Sequence, residues 1–396
     1  MNKYYSVLLV SAFCFWNITI TFSQVTITNG VHNFEISGCI SGFYNHRIIK
    51  PEATNQSLNN NRFDLRDAQI QIEGRVGRTW AYEFQFDLAD LASGQSAVDG
   101  ENPGLMDANV KYKGFKLFDI QAGFGKTPYS RSSLVPIVYS PFWQRAQIVR
   151  GDVFSRRDIG VTLSQSFWKQ RVNIYGGVYS GLGEIALRGE NDGSGSIEYI
   201  SRLDFAYPAR FRYREIDDRH VPIPMFQIGI NGRYTKRNLP DGGSFPAFSS
   251  GEYGLRVLDG ERYVYGFDAA FMYKGFSGNF EIHQYRGQPR LETNPLLQGL
   301  PVEQTERFFL AGGYLAQLNY FFKSWKTILS VRYEQLDLND LVNGRSERFS
   351  LAVAYQMNGF NSMLKFQYFN IITEEENLDP LRWTEQFRFG WQLLFK

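Results

Sequence analysis

Cysteine is scarce in this sequence. Cys14 and Cys39 are the two present, and Cys14 falls in a segment expected to be removed. The mature chain then keeps one thiol and no internal disulfide. The four histidines, His32, His46, His220 and His283, are scattered, without the spacing of a metal site. Neither charge sign is in large excess: 42 Lys and Arg stand against 40 Asp and Glu. That argues against a strongly basic nucleic-acid binder, so no nucleic-acid partner is expected. Beyond the first residues, no run of about 18 apolar residues occurs, and a membrane-spanning helix is not expected. Proline is sparse as well, at 14 residues, which leaves room for long uninterrupted strands.

Aromatic residues and glycine are abundant, with 34 Phe, 23 Tyr and 37 Gly. Yet the mean hydropathy is −0.32. A chain that is both aromatic and polar on average can hide its apolar surface by alternation. At 396 residues, one soluble core would be expected to split into domains. A barrel grows by adding strands.

The first residues have the three parts of an export signal. Lys3 gives positive charge, Val7 to Phe22 is largely apolar, and Ser23-Gln24 is a plausible cleavage point. Residues 1–23 are therefore expected to be a signal peptide, and residues 24–396 the mature domain.

From Val31 onward the pattern has period two. In Ala81 to Leu88, the side chains of Tyr82, Phe84, Phe86 and Leu88 share one face, and Glu83, Gln85 and Asp87 share the other. Strict alternation means a strand with one apolar and one wet side. Strands are expected near 31–46, 62–77, 79–90, 105–113, 116–126, 156–166, 171–180, 200–207, 225–236, 262–274, 276–286, 308–322, 325–337, 347–357, 361–371 and 385–395. Tight connections alternate with long ones rich in Gly, Asn and Ser; 208–224 is long where a short turn is due. Short turns at one end and long loops at the other are the rhythm of an outer-membrane barrel. The fold class expected is all-β: a single transmembrane antiparallel β-barrel of about 16 strands. In its last strand Phe387, Phe389, Trp391, Leu393 and Phe395 alternate with polar residues and glycine.

Alternation also sorts the charges. The inward basic set is Arg75, Lys111, Arg156, Arg233, Arg332, Arg348, Lys365 and Arg388. The inward acidic set is Asp67, Glu73, Asp107, Asp119, Asp158, Asp268, Glu281 and Glu334. The two sets balance, and many members are expected to be salt-bridged lumen residues. The connection between the fifth and sixth strands differs. Around 127–155 stand Lys126, Arg131, Arg145, Arg150, Arg156 and Arg157, against Asp152 and Asp158. A basic cluster at a constriction favours anions, and the arginine fork can hold two phosphate oxygens.

Catalytic and cofactor motifs are wanting. Gly125-Lys126-Thr127 has the end of a phosphate-binding loop, but Ile120 stands where the first glycine is required. There is no nucleophile elbow, no His-Glu-x-x-His and no close Cys pair. Asp337-Leu338-Asn339-Asp340 lacks the Gly and Glu of a calcium loop. No enzyme activity, cofactor or metal is expected. The other function class to weigh is an accessory barrel whose loops at 237–261 and 287–307 dock membrane components without transport.

The run Gly123-Phe124-Gly125-Lys126-Thr127-Pro128, the long segment after it, and Ser155-Arg156-Arg157-Asp158-Ile159-Gly160-Val161 resemble the phosphate-selective porin O/P family. The Ser23-Gln24 junction resembles signal peptides of Bacteroidetes-type bacteria. The resemblance implies a 16-stranded outer-membrane barrel, usually a homotrimer, among lipid and lipopolysaccharide. It implies that the third loop, 127–155, folds into the lumen. It also implies passive diffusion of small anionic solutes such as phosphate or polyphosphate past arginines and lysines. Lys126, Arg131, Arg145, Arg150, Arg156 and Arg157 are the candidate anion-binding residues. One departure is the terminus: such barrels mostly end in an aromatic residue, and this chain ends Phe395-Lys396.

Overall fold

The computed structural model describes residues 25–29, 31–49, 61–89, 104–149, 154–181, 183, 195–237, 260–287, 309–337, 345–373 and 383–395. A short strand, β1 (Val25–Asn29), precedes sixteen longer ones. These are β2 (His32–Ile49), β3 (Asn61–Val76), β4 (Trp80–Asp87), β5 (Leu105–Tyr112), β6 (Asp119–Lys126), β7 (Arg157–Phe167), β8 (Val172–Tyr179) and β9 (Glu198–Tyr207). They continue as β10 (Met225–Arg237), β11 (Gly260–Tyr273), β12 (Phe276–Gly287), β13 (Phe309–Phe322), β14 (Thr327–Asp337), β15 (Ser346–Asn358), β16 (Ser362–Thr373) and β17 (Trp383–Phe395). Each is antiparallel to the next, and β17 pairs back onto β2 from Phe395↔Gly38 to Trp383↔Ile49. The result is a closed sixteen-stranded barrel. All sixteen strands read from the sequence are present, with ends shifted by a few residues. Residues 1–23, the expected signal peptide, lie outside the described residues.

β1 was not expected. It pairs with the first turn of β2, from Val25↔Ile36 to Asn29↔His32. This is the same edge of β2 that β17 uses farther along. β1 therefore continues the line of β17 and covers backbone groups that would otherwise form an open edge. Within hydrocarbon an open edge costs several kcal/mol per unpaired group, by the usual penalty.

The burial pattern is that of a membrane wall. In β9, Glu198, Ile200, Arg202, Asp204 and Ala206 are buried, and Tyr199, Leu203, Phe205 and Tyr207 are exposed. A soluble core would turn the charges out and the aromatics in. In β4, Phe84 is 41% exposed whereas Asp87 is fully buried. The apolar face thus lies outside, where lipid meets it, and the polar face lines the interior.

Tight turns join one end of the strands. Lys274 and Gly275 link β11 to β12 with φ of 46° and 89°; two left-handed residues match the twist of a two-residue hairpin. The 208–224 connection between β9 and β10 lies at the same end and is not a simple turn. Its Asp217 accepts hydrogen bonds from the Gly275 and Val221 backbone N–H at 2.8 and 3.1 Å. Its Phe211 and Ile216 are buried.

Placing an arginine at outward Phe84 or Val353 is expected to destabilise the folded barrel by about 2–4 kcal/mol near the midplane. A charge at inward Gln85 should cost much less. Denaturant titration in lipid vesicles measures both, and equal costs would reverse the face assignment.

Candidate pore constriction

The segment between β6 and β7 begins where the two strand ends are tied together. Thr127 N–H donates to the Arg156 carbonyl at 2.8 Å. Beyond this clasp comes a short helix, α1 (Arg131–Leu134), then 3-10 turns at Ile137–Tyr139 and Gln147–Val149. The Ser130 hydroxyl caps α1 by accepting from Ser133 N–H at 3.2 Å, as a serine at that position commonly does.

Inward-facing wall side chains hold residues 130–147 of this segment. Glu281 of β12 accepts from the Ser130 hydroxyl at 2.6 Å and from Ser132 N–H at 2.5 Å. Asn231 of β10 accepts from Ser130 N–H at 3.1 Å. Gln367 of β16 accepts from Trp143 N–H at 2.7 Å, and Glu334 of β14 from Gln147 N–H at 2.6 Å. Arg332 donates to the Gln144 carbonyl at 3.0 Å and Arg348 to the Arg145 carbonyl at 3.1 Å. These are charge-assisted or buried bonds, the stronger kind. Apolar contacts add to them. Trp143, 1% exposed, lies 5.2 Å from the Phe43 ring, and the Arg332 guanidinium sits 4.1 Å over Phe142.

The 208–224 connection meets the same segment from the turn end. Arg131 donates to the Arg214 carbonyl at 2.5 Å, and Ser140 to the Glu215 carboxylate at 2.7 Å. Ile216 packs with Val138, Tyr139, Phe321 and Ile328. The long connection that broke the short-turn rhythm is thus a buttress under the loop.

Most wall charges are paired. Arg202 bridges Asp268 at 2.6 Å and Asp204 at 2.7 Å. Arg233 pairs with Glu198 at 2.6 Å, and Glu334 takes both Arg332 and Arg348 at 2.6 and 2.7 Å. Such pairs fix geometry more than they stabilise, because desolvation offsets much of the attraction.

The six candidate residues separate into groups. Arg131 is buried in the support, with Nε on Gln227 at 3.0 Å and its guanidinium 5.2 Å over Phe211. Arg156 is buried at the clasp. Arg150 lies outside the described residues. Lys126, Arg145 and Arg157 come together, lining one cavity of about 220 Å³ with Glu35, Glu73 and the Pro136–Tyr139 turn. There Arg157 pairs with Asp107 at 3.2 Å, and Arg145 donates to the Ser132 and Val135 carbonyls at 2.8 and 2.7 Å. A second cavity of about 430 Å³ continues along β2–β6, lined by Glu35, Glu73, Glu83, Arg75, Lys111 and Lys113. The loop therefore packs mainly against β10–β17, touches β2 and β3 where Trp143 meets Phe43 and Arg66, and leaves space farther along β2–β6.

Sequence reasoning missed Arg66, Arg202, Asp204 and Glu35, and placed Glu83 on the polar face without counting it among the inward acids. Glu198, Arg202 and Asp204 share one face of β9 at two-residue spacing, and that signal was present. Arg66 points inward at a register irregularity between β2 and β3, near Ser41 and Gly42, where simple alternation fails.

The fold and the lumen define the class: a passive outer-membrane channel of the sixteen-stranded porin type, in a Gram-negative outer membrane. In sequence, residues 44–206 match the family model described as phosphate-selective porin O and P. No curated protein matches the chain in sequence. Among solved structures it is similar to an anion-selective porin from Comamonas acidovorans. That match has 8% identity and a TM-score of 0.59, covering 92% of this chain and 100% of that one. It is also similar to the outer-membrane channel DcaP of Acinetobacter baumannii, at 8% identity and a TM-score of 0.55, covering 93% of this chain and 99% of that one. A trimer form of OmpT from Vibrio cholerae matches at 10% identity and a TM-score of 0.55, covering 92% and 100%. At these identities the likeness is one of fold. Family and fold point to a channel, not an enzyme.

Glu334→Ala should expose the strength of the clamp. It strips two buried arginines of their counter-charge and Gln147 N–H of its acceptor. The expected loss is about 3–5 kcal/mol, as for breaking a buried pair. Unfolding in lipid would read it, and a loss as small as that of a surface pair would overturn the clamp role.

Proposed function

We propose that the barrel passes small hydrophilic solutes with a preference for anions such as phosphate or polyphosphate. The single observation behind this reading is that Lys126, Arg145 and Arg157 share one cavity. They come from a strand exit, the loop and a strand start. Three cationic groups around a narrow, partly dry space focus a field that draws anions. The loop 127–155 is the constriction in this reading. Arg131 and Arg156 hold it in position, and Arg150 belongs to the same basic segment.

Residues 1–23 are the export signal and 24–396 the barrel. Lipid and lipopolysaccharide surround it. The similar OmpT structure is described as a trimer form, which supports a homotrimer here. Catalysis has no role in this reading.

Planar-bilayer recording under a salt gradient tests it, with an anion-directed reversal potential expected. A unit charge acts with about 1 kcal/mol at 4 Å in water. Lys126→Gln should therefore lower the anion-to-cation permeability ratio by up to about fivefold, by the same estimate. Cation preference across a range of salt concentrations would overturn the anion claim.

A further inference from the structure

Below the basic cavity, three carboxylates stand in one row across three strands. Glu35 of β2 is directly opposite Glu73 of β3, and Glu73 is directly opposite Glu83 of β4. All three project inward and remain partly open to the lumen. Gln71 joins two of them, donating to Glu73 at 2.6 Å and to Glu83 at 2.9 Å. Among the described residues none of the three forms a close ion pair with a lysine or arginine, in contrast to Asp107, Asp119, Asp268 and Glu334, and Lys126 acts on Glu83 only at longer range. Like charges directly opposite one another destabilise a sheet. A row of three that has no close protein cation favours positive charge from the lumen.

The position of the row matters. Glu35 and Glu73 line both the 220 Å³ and the 430 Å³ cavities, so the row stands where the two meet. One register step above it, Gln71 and Gln85 lie opposite each other. At that level Asp107 holds Arg157, beside Lys126 and Arg145. Two residues along a strand span about 7 Å. Lys126, like the glutamates, forms no close ion pair among the described residues, and Asp107 and Glu83 act on it at longer range. The passage thus presents a positive charge and, about 7 Å farther along by strand rise, a negative one, neither closed off in an ion pair of its own.

We propose that this passage is a two-charge filter, selective for solutes that carry a negative and a positive group several ångströms apart, such as zwitterionic short peptides. The anionic end meets Lys126 and Arg145, and the cationic end meets Glu35, Glu73 and Glu83. A simple anion gains at the basic cluster and is repelled at the glutamate row. A neutral solute gains at neither. The proposal rests on the channel reading above and goes beyond its anion preference, placing a solute with both charges ahead of a simple anion of similar size.

Fluxes into proteoliposomes holding the full-length purified barrel test it with three probes of similar size. Glycylglycine carries both charges, N-acetylglycinate is an anion, and N-acetylglycinamide is uncharged. The expected order is glycylglycine fastest. In the triple variant Glu35→Gln, Glu73→Gln, Glu83→Gln, glycylglycine should slow and N-acetylglycinate should speed up, each by about fivefold if one unit charge is effectively removed. Its reversal potential should move toward anions. Glu83→Gln alone, with a smaller change of the same sign, serves if the triple variant does not assemble. Glycylglycine no faster than N-acetylglycinamide, or glutamate variants that leave the three rates unchanged, would overturn the two-charge filter while leaving the channel intact. No flux of any probe through a correctly folded barrel would instead overturn the channel reading.

Discussion

Everything in this molecule follows from placing a polypeptide wall in hydrocarbon. The outer surface can offer lipid no unpaired backbone group and few charges. Closure of β17 onto β2 meets the first demand, and the short β1 extends it to the lower part of β2. The second demand drives the charges inward. Arg202, Asp204, Asp268, Arg233, Glu198, Arg332, Glu334 and Arg348 are all buried. The interior is therefore both the only place for polar groups and a place where each needs a partner.

That crowding explains how the third loop is held. A loop backbone has many polar groups and little internal pairing. Here the wall completes it: Glu281, Asn231, Gln367, Glu334, Arg332 and Arg348 each bond to a backbone group of the 127–149 segment. The 208–224 connection adds Glu215 and its own carbonyls from the other end. The loop is seated mainly on the β10–β17 side, with Trp143 also resting on Phe43 of β2, and the space left lies farther along β2–β6. On that side the wall carries shorter polar residues, such as Gln71, Gln85 and Asn109, and the glutamate row. One side of the lumen acts as support and the other as passage.

Much of the fold was legible in the sequence because a strand has an exact two-residue repeat. Phe84 and Asp87 could be assigned to faces from their neighbours alone, and so could Glu281 and Glu334. Legibility failed where that repeat shifts or stops. Arg66 lies beside a register irregularity. β1 is five residues long, too short for a period to stand out. The candidate arginines were drawn from one basic segment, but composition could not tell a structural arginine from one facing open space. Arg131 and Arg145 look alike in sequence; one is clasped between Gln227 and the Arg214 carbonyl, the other borders a cavity.

The sequence by itself determined the wall: the strand count, the lipid face, the rhythm of turns and loops, and the basic character of the third loop. It could do so because these depend on residues two apart or next to one another. Only the tertiary structure decided which inward charges meet. Glu35, Glu73 and Glu83 are separated by 38 and 10 positions in the numbering, yet strand register sets them side by side. Register and loop seating are properties of the closed barrel, and no local pattern of residues encodes them one strand at a time.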